Sequence, residues 1–405
     1  MTTRPTTTPV FILAGGEGQR LAPLTEAKPK PAVSFGGTHQ ILDFTLSNCV
    51  NSGLKKIYVL TQYKREPLHD YVRQNRLLLS SRFQWHDGDD LRCVAPVSGK
   101  RYRGTADAVF QSLPLIRFDT AEHVLVASGD HIYSMDYRQF LTHHAMSGAD
   151  MTIGTVRRPV GEASAFGVVD TTDGGAVVGF REKPGAETLP TTSEVLVNMG
   201  VYAFKRTALL AMADTASPME TDFGRHFIPK LVRSGKVAAY DFDCLGRNYW
   251  RDVGSLDSYY RASMDLVGPD PGFDLDRDKM WPIHTLTESS VFKLGYSRIS
   301  CRALTESSTI RHSVISYGAC IEAGAVVENS VVLPGALIAA GAHVRNAIIT
   351  EKTIVENGCR IGMDPDADRR QFLVTPEGVV VVSGPARGRR DSDGHGWTPS
   401  SLSVA

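Results

Sequence analysis

The residues best suited to chemistry lie near the start of the chain, in the stretch Val10–Val33, VFILAGGEGQRLAPLTEAKPKPAV. An apolar strand expected over Val10–Ala14 runs into Gly15, Gly16 and Gly18, and Arg20, Lys28 and Lys30 follow. Glycine at a strand end lets backbone N–H groups approach phosphate oxygens that a Cβ would keep away. The Arg and Lys side chains behind it supply charge to neutralise those oxygens. Glycine also serves turns for steric reasons alone. The order of strand, glycines, Arg20 and Lys30 nevertheless points to a nucleotide site.

Carboxylates come next. In His123–Tyr133 (HVLVASGDHIY) an apolar strand ends at Gly129-Asp130. That places a carboxylate at the carboxyl end of the sheet, where open α/β folds bind their ligands. Asp130 there can hold Mg²⁺ against phosphates, although a lone Asp would read first as a turn or helix cap. Tyr249–Gly254 (YWRDVG) supplies a second carboxylate, Asp252, just before another helix. Two carboxylates on separate elements can share one metal ion if the fold brings them together. Glu182-Lys183-Pro184 closes a β segment and offers either a second phosphate ligand or a surface ion pair. Arg103–Asp107 opens a helix whose small residues allow a flat base near the backbone, or merely suit a helix N-terminus.

These groups must be positioned by a scaffold, and the pattern changes along the chain. Strands are expected at Val10–Ala14, Ile57–Thr61, His123–Ser128, Met151–Val156, Phe166–Val169, Ala176–Phe180 and Val195–Phe204. Helices are expected at Ala106–Ile116, Tyr137–Met146, Phe223–Ser234 and Leu256–Val267. This alternation predicts a mostly parallel sheet flanked by helices. After Gly268–Phe273 the period becomes six: Ile315, Ile321 and Val327, then Val332, Ile338 and Val344, with Gly318, Gly324, Gly335 and Gly341 in phase. One aliphatic and small turn residues every six positions predict a parallel β-helix, with a closing strand in Phe372–Val382. The expected organisation is a disordered tail over 1–9, a catalytic domain over 10–268, a linker over 269–290, the β-helix over 291–383 and a disordered tail over 384–405.

Composition limits the function classes. The 405 residues carry 44 Lys+Arg against 44 Asp+Glu, so no net field attracts nucleic acid or an anionic membrane. No apolar run approaches the roughly 20 residues a membrane span requires. Six scattered cysteines (Cys49, Cys93, Cys244, Cys301, Cys320, Cys359) form no C-x-x-C pair and suit a reducing cytoplasm.

Together, Gly15–Arg20, Lys30–Ala32, Tyr102–Ala108 (YRGTADA), Gly129–Tyr133, Ser164–Val168 (SAFGV), Glu182–Pro184 and Tyr249–Gly254 resemble the ADP-glucose pyrophosphorylases. These bacterial glucose-1-phosphate adenylyltransferases belong to the sugar nucleotidyltransferases, and the resemblance runs in order from Val10 to about His284. It implies a Rossmann-like catalytic domain, a left-handed β-helix, dependence on Mg²⁺ and a homo-oligomer, dimer or tetramer. It also implies roles for individual residues. Leu13, Ala14, Gly15, Gly16, Gly18, Arg20, Gly104, Thr105 and Asp107 would meet the nucleotide. Tyr102, Gly167, Glu182, Lys183, Asn198, Tyr202, Asp222, Phe223 and Trp250 would meet the sugar phosphate. Arg20, Lys30 and Asp130 would be catalytic, and Asp130 with Asp252 would bind the metal. The implied reaction joins a nucleoside triphosphate to a sugar 1-phosphate with release of pyrophosphate, most simply ATP with glucose 1-phosphate.

Three departures concern substrates and effectors. The family's Gln-Gln pair is absent from Ala95–Lys100, its sugar-pocket serine matches Asn198, and its basic pair is altered in Glu26–Lys30. An alternative is therefore a specialised paralogue that activates a cyclitol phosphate such as valienol 1-phosphate, with GTP as donor. More remote readings are a non-catalytic regulatory subunit, or a hexapeptide acyltransferase using His312 or His343.

Overall fold

The computed structural model describes residues 8–386 except 84, 86–88, 98–99, 246–248, 270, 276–278, 280, 287–290, 295, 301–302 and 305–306. Residues 1–7 and 387–405 of the expected tails, and Ser98 and Gly99, lie outside the described residues. The chain divides into two compact units. The first holds residues up to 35, 39–262 and 272–288; the second holds 36–38, 263–271 and 289 onward.

The first unit is built on a nine-stranded sheet. Its strands are β1 (Pro9–Leu13), β4 (Lys56–Leu60), β5 (Asp90–Val94), β6 (His123–Ser128), β8 (Met151–Pro159), β9 (Gly167–Thr171), β10 (Val177–Glu182), β11 (Glu194–Lys205) and β12 (Val237–Asp241). Two short pairs stand apart: β2 (Ser34–Phe35) with β3 (His39–Gln40), and β7 (His131–Tyr133) with β13 (Trp250–Asp252). Strand order β5-β4-β1-β6 is parallel throughout, and only β10 and β11 run against the other seven strands. Side-chain alternation builds two cores. Val10, Ile12, Ile57, Val59, Leu125 and Ala127 fill one face, while Phe11, Tyr58, Leu60, Val124 and Val126 fill the other. Both faces of β1 are thus covered, which explains its unbroken apolar run.

The helices are α1 (Ile41–Asn51), α2 (Arg65–Phe83), α3 (Thr105–Ser112), α4 (Tyr137–Ser147), α5 (Arg206–Thr215), α6 (Ile228–Arg233) and α7 (Leu256–Met264). Sequence periodicity misplaced several boundaries. The helix expected over Ala106–Ile116 ends at Ser112 and tightens into a 3₁₀ turn at the Pro-containing Leu113–Ile116. That expected over Phe223–Ser234 begins as a wide π turn, Phe223–Phe227, before α6. Residues 281–284 are fastened along α1. Trp281 Nε1 donates to Asn48 Oδ1, Asn51 Nδ2 to the Pro282 carbonyl, and the His284 N–H to Ser47 Oγ. Among the described residues no helix is long and apolar enough to cross a membrane. The described cysteines Cys49, Cys93, Cys320 and Cys359 are free thiols.

The second unit is a three-sided parallel β-helix, with its short strands in one seven-stranded and two four-stranded sheets. Registers pair Val314 with Val331 and Val331 with Ile348, so one coil is 17 residues. Three six-residue rungs would give 18. The missing residue falls at one corner, where His312, Asn329 and Asn346 stack with left-handed φ of 46°, 45° and 47°. The other two corners are the columns Gly318, Gly335, Lys352 and Gly324, Gly341, Gly358, also at positive φ. Inside, Ile321, Ile338 and Val355 stack without exposure. The closing region is a hairpin of Leu373–Val374 with Val380–Val382. Val380–Val382 continues the stack on Ala347–Ile349, and Leu373–Val374 forms the edge.

This packing makes a paired prediction. Ile338→Ala removes a side chain that is 0% exposed and lowers the unfolding free energy by about 2–5 kcal/mol. Ile354→Ala, at a position 46% exposed, changes it by no more than about 0.5 kcal/mol. Urea unfolding of both variants reads the difference.

Candidate active site

Sheet order decides where the chemistry can sit. β1 pairs with β4 on one side and β6 on the other, so the loops leaving β1 and β6 diverge and open a crevice between them. Leu13 and Ser128 are register partners, so the glycine loop and Gly129-Asp130 emerge side by side. They line a cleft of about 380 Å³ with Leu13, Ala14, Gly16, Gly18, Arg20, Lys30, Asp130 and Gly254.

The glycines of that loop are there for different reasons. Gly18 has φ 65° and caps the 3₁₀ turn Gln19–Leu21, so its backbone conformation requires it. A Cβ on Gly16 would meet no protein atom within 4 Å. Nothing in the protein's own packing calls for a bare Cα at Gly16, which borders the cleft.

Lys30 ties the crevice together. It lies in a buried 3₁₀ turn, Lys30–Ala32, and its Nζ is 2.9 Å from Asp130 Oδ2 and 3.0 Å from Asp252 Oδ1. Asp130 follows β6, and Asp252 ends β13, whose pairing with β7 sets Asp252 opposite His131. The two carboxylates that sequence alone left on separate elements therefore meet at one cation. Burial works against the charge on Lys30, but Asp130 and then Asp252 outweigh it and raise the ammonium above its ordinary pKa. Burial likewise pushes the Asp130 carboxyl up, and Lys30 with His131 holds it down at about 2. Lys30 and Asp130 are thus both charged at neutral pH.

Two convergent carboxylates with a cation at bonding distance from both are the donor set a divalent ion uses alongside phosphate oxygens. Among the described residues no group of three or more His, Cys, Asp or Glu is arranged to hold a metal. A metal here would have to draw its remaining ligands from substrate and water. Arg20 reaches the same corner, its guanidinium within 3.1 Å of where a Gly254 Cβ would stand.

Sequence reasoning passed over one residue in this corner, His131. Its ring is T-stacked on Trp250 at 5.2 Å, and its Nε2 lies 3.6 Å from Asp130 Oδ1 and 3.8 Å from Asp252 Oδ1. The only signal was its place between Asp130 and Ile132 in the GDHIY stretch.

The expected sugar-side residues form a neighbouring patch. Trp250 packs on Phe166 at 5.5 Å, and the Phe166 carbonyl accepts the Lys183 N–H at 2.9 Å. Lys183 is exposed and holds a left-handed φ of 47°, a strained conformation for a residue with a Cβ. Glu182 sits where Cβ atoms on Gly167 and Gly224 would crowd its Oε2, at 3.0 and 2.6 Å. Burial, then the neighbouring Asp222, raises its carboxyl pKa. Tyr202, Phe223 and Trp250 are buried; Tyr202 packs on Phe223 at 5.6 Å in one core, and Trp250 belongs to the other. Asn198 spans a bulge in β11: its Oδ1 accepts the Gly200 N–H at 2.9 Å and its Nδ2 donates to the Tyr202 hydroxyl at 2.8 Å.

Other expected contacts are engaged within the protein. Thr105 Oγ1 donates to Asp222 Oδ2 and accepts from the Phe223 N–H. Asp107 pairs with Arg103 through guanidinium and backbone N–H. The Tyr102 hydroxyl donates to the Val94 carbonyl, and Gln62 brackets the Tyr102 backbone from both sides. Gly104 has an extended backbone, and its Cβ would fall 2.4 Å from the Thr221 carbonyl. These bonds lock α3 to the Thr221–Phe223 turn.

The two glycine environments separate in a prediction. Gly104→Ala forces α3 off Thr221 and lowers stability by about 1–3 kcal/mol. Gly16→Ala leaves the thermal midpoint unchanged and weakens binding of a nucleoside triphosphate, because its Cβ enters the cleft. Melting curves and nucleotide titrations on both variants check this.

Comparison with known proteins agrees with the geometry. Residues 10–268 match the family model described as nucleotidyl transferase, and residues 285–382 match that described as GlmU-like, C-terminal hexapeptide. Glucose-1-phosphate adenylyltransferase 2 of Alkalilimnicola ehrlichii is 40% identical over 396 residues, covering 92% of this chain and 93% of the relative. Glucose-1-phosphate adenylyltransferase 1 of Vibrio cholerae is 42% identical over 398 residues, covering 92% and 97%. The enzyme of that name from Photobacterium profundum is 36% identical over 401 residues, covering 92% and 96%. Matched by the nucleotidyl transferase model over residues 10–268 and by these relatives almost end to end, this chain belongs to the glucose-1-phosphate adenylyltransferase family of nucleotidyl transferases.

Proposed function

We propose that the protein transfers an adenylyl group from ATP to glucose 1-phosphate, giving ADP-glucose and pyrophosphate in the cytoplasm. The observation that carries this reading is the convergence of Lys30, Asp130 and Asp252 beside the glycine loop. The loop offers backbone N–H groups and Arg20 to the triphosphate, and Lys183 and Glu182 serve the sugar phosphate and its hydroxyls. Asp130 and Asp252 would hold Mg²⁺. When bound, that ion neutralises charge on the phosphates.

The reaction forms a bond between a sugar-phosphate oxygen and the α-phosphorus as the bond to pyrophosphate breaks. A phosphate monoester is already largely dianionic at pH 7, so no residue has to remove a proton. What the chain must supply is alignment and positive charge. Lys30 suits that role because its charge is held by two carboxylates within a buried turn. Arg20, exposed at the cleft, can meet the leaving oxygens.

Asn198 is one of the departures behind the cyclitol-phosphate alternative. It gives one hydrogen bond at each end of its amide to Gly200 and Tyr202 and so braces β11, a structural role that accounts for the residue without a new hydroxyl pattern and supports glucose over that alternative.

A matrix of nucleoside triphosphates against glucose 1-phosphate and cyclitol 1-phosphates, read by pyrophosphate release, tests the proposal. ATP with glucose 1-phosphate gives the highest kcat/KM; a faster pair of GTP with a cyclitol phosphate would replace it. Asp130→Asn and Asp252→Asn each lower kcat by at least about 100-fold in a chain that still folds, with a lower thermal midpoint because each leaves the buried Lys30 charge short of one partner. Chelation of divalent ions abolishes turnover.

A further inference from the structure

We propose that His131 is a positioning residue that fixes the carboxylate pair relative to the sugar side of the site. The inference rests on the reading of Asp130 and Asp252 as the metal pair and of β11 as part of the sugar patch. Its geometry is independent of both. His131 Nδ1 lies 3.0 Å from the Met199 carbonyl. A carbonyl only accepts, so Nδ1 carries a proton and donates. The opposite nitrogen, Nε2, faces one oxygen of each carboxylate at 3.6 and 3.8 Å.

The two ends of the ring therefore touch different machinery. Met199 lies inside the β11 bulge, between Asn198 and the left-handed Gly200, where register against β8 is broken. A Cβ on Gly200 would stand 3.4 Å from His131 Cε1 and 2.9 Å from Ser128 Oγ, so the bulge presses directly on the ring and the end of β6. The ring cannot slide away. Its side chain is 13% exposed, Trp250 covers one side, and β7 is paired to β13 through His131 and Asp252. A shift of the bulge on filling of the sugar patch would reach Asp130 and Asp252 through this one rigid ring. Partners behind metal ligands commonly govern affinity in this way.

Two amide variants divide the ring's functions. His131→Asn places an N–H near the Nδ1 position and keeps the bond to Met199, but offers nothing at Nε2. His131→Gln reaches the Nε2 position and abandons Met199. Binding is measured on the full chain, with Mn²⁺ alone by electron paramagnetic resonance and glucose 1-phosphate by calorimetry. His131→Asn weakens Mn²⁺ about tenfold and leaves glucose 1-phosphate within about twofold. His131→Gln does the reverse, keeping Mn²⁺ and weakening glucose 1-phosphate about fivefold. Equal profiles in the two variants, or parallel losses that track a lower thermal midpoint, overturn the role. Asp130→Asn is the control. If it abolishes Mn²⁺ binding while the His131 variants behave alike, the role of His131 alone fails. If it leaves Mn²⁺ binding intact, the metal-pair reading fails with it.

Discussion

The first unit depends on one buried ammonium shared by two carboxylates. Lys30 has an 8% exposed side chain, and a charge so placed is tolerable only when opposite charge meets it directly. Its partners lie 100 and 222 positions away in sequence, on the ends of β6 and β13. Meeting them requires the parallel order β4-β1-β6, the short β7–β13 pair, and the turn that follows the glycine loop. Each must be correctly placed before the Lys30 charge is satisfied. The ion cluster thus reports on the assembly of the whole crevice as well as serving its chemistry.

Around that cluster, rigidity comes from backbone features. The bulge in β11 is held by Asn198 across its own strand, α3 is held to the Thr221–Phe223 turn through Gly104 and Thr105, and Gln62 grips the Tyr102 backbone. Tyr102, Thr105 and Asn198, all expected to meet substrate, carry these bonds. A site whose reaction needs alignment more than proton transfer benefits from such fixed surroundings, since small misplacements of reacting groups are costly. The second unit follows a simpler rule. Its 17-residue coils repeat the same register, so each strand stacks on an equivalent one above and below.

Much of this was legible in the sequence because local patterns and tertiary roles agreed. Val10–Ala14 and His123–Ser128 read as buried strands and are buried strands. The hexapeptide period identified the β-helix, but not its 17-residue coil, because the omitted residue is absorbed by left-handed His312, Asn329 and Asn346. Helix α1 escaped notice for a physical reason: Ile41–Val50 are all buried, so no polar face marks a helical period. Asp130 could be nominated from its position after a strand and Asp252 from its position before a helix, but their meeting at Lys30 is a property of strand order. His131 was hidden for the same reason. Its significance lies in what its two nitrogens face, and neither Met199 nor Asp252 is near it in sequence.

Specificity, on this structure, belongs to shape more than to single contacts. Asn198 occupies the place where the family has a serine, yet both ends of its amide are engaged by Gly200 and Tyr202. The bulge carries Met199, whose carbonyl holds His131, and His131 faces the carboxylates. The bulge is therefore joined toward the centre of charge by the hydrogen bonds of Gly200 to Asn198 and of His131 to Met199, and by the approach of the His131 ring to Asp130 at 3.6 Å. What Asn198 does within this chain is hold the shape of the β11 bulge, whose Met199 carbonyl bonds the ring that faces Asp130 and Asp252.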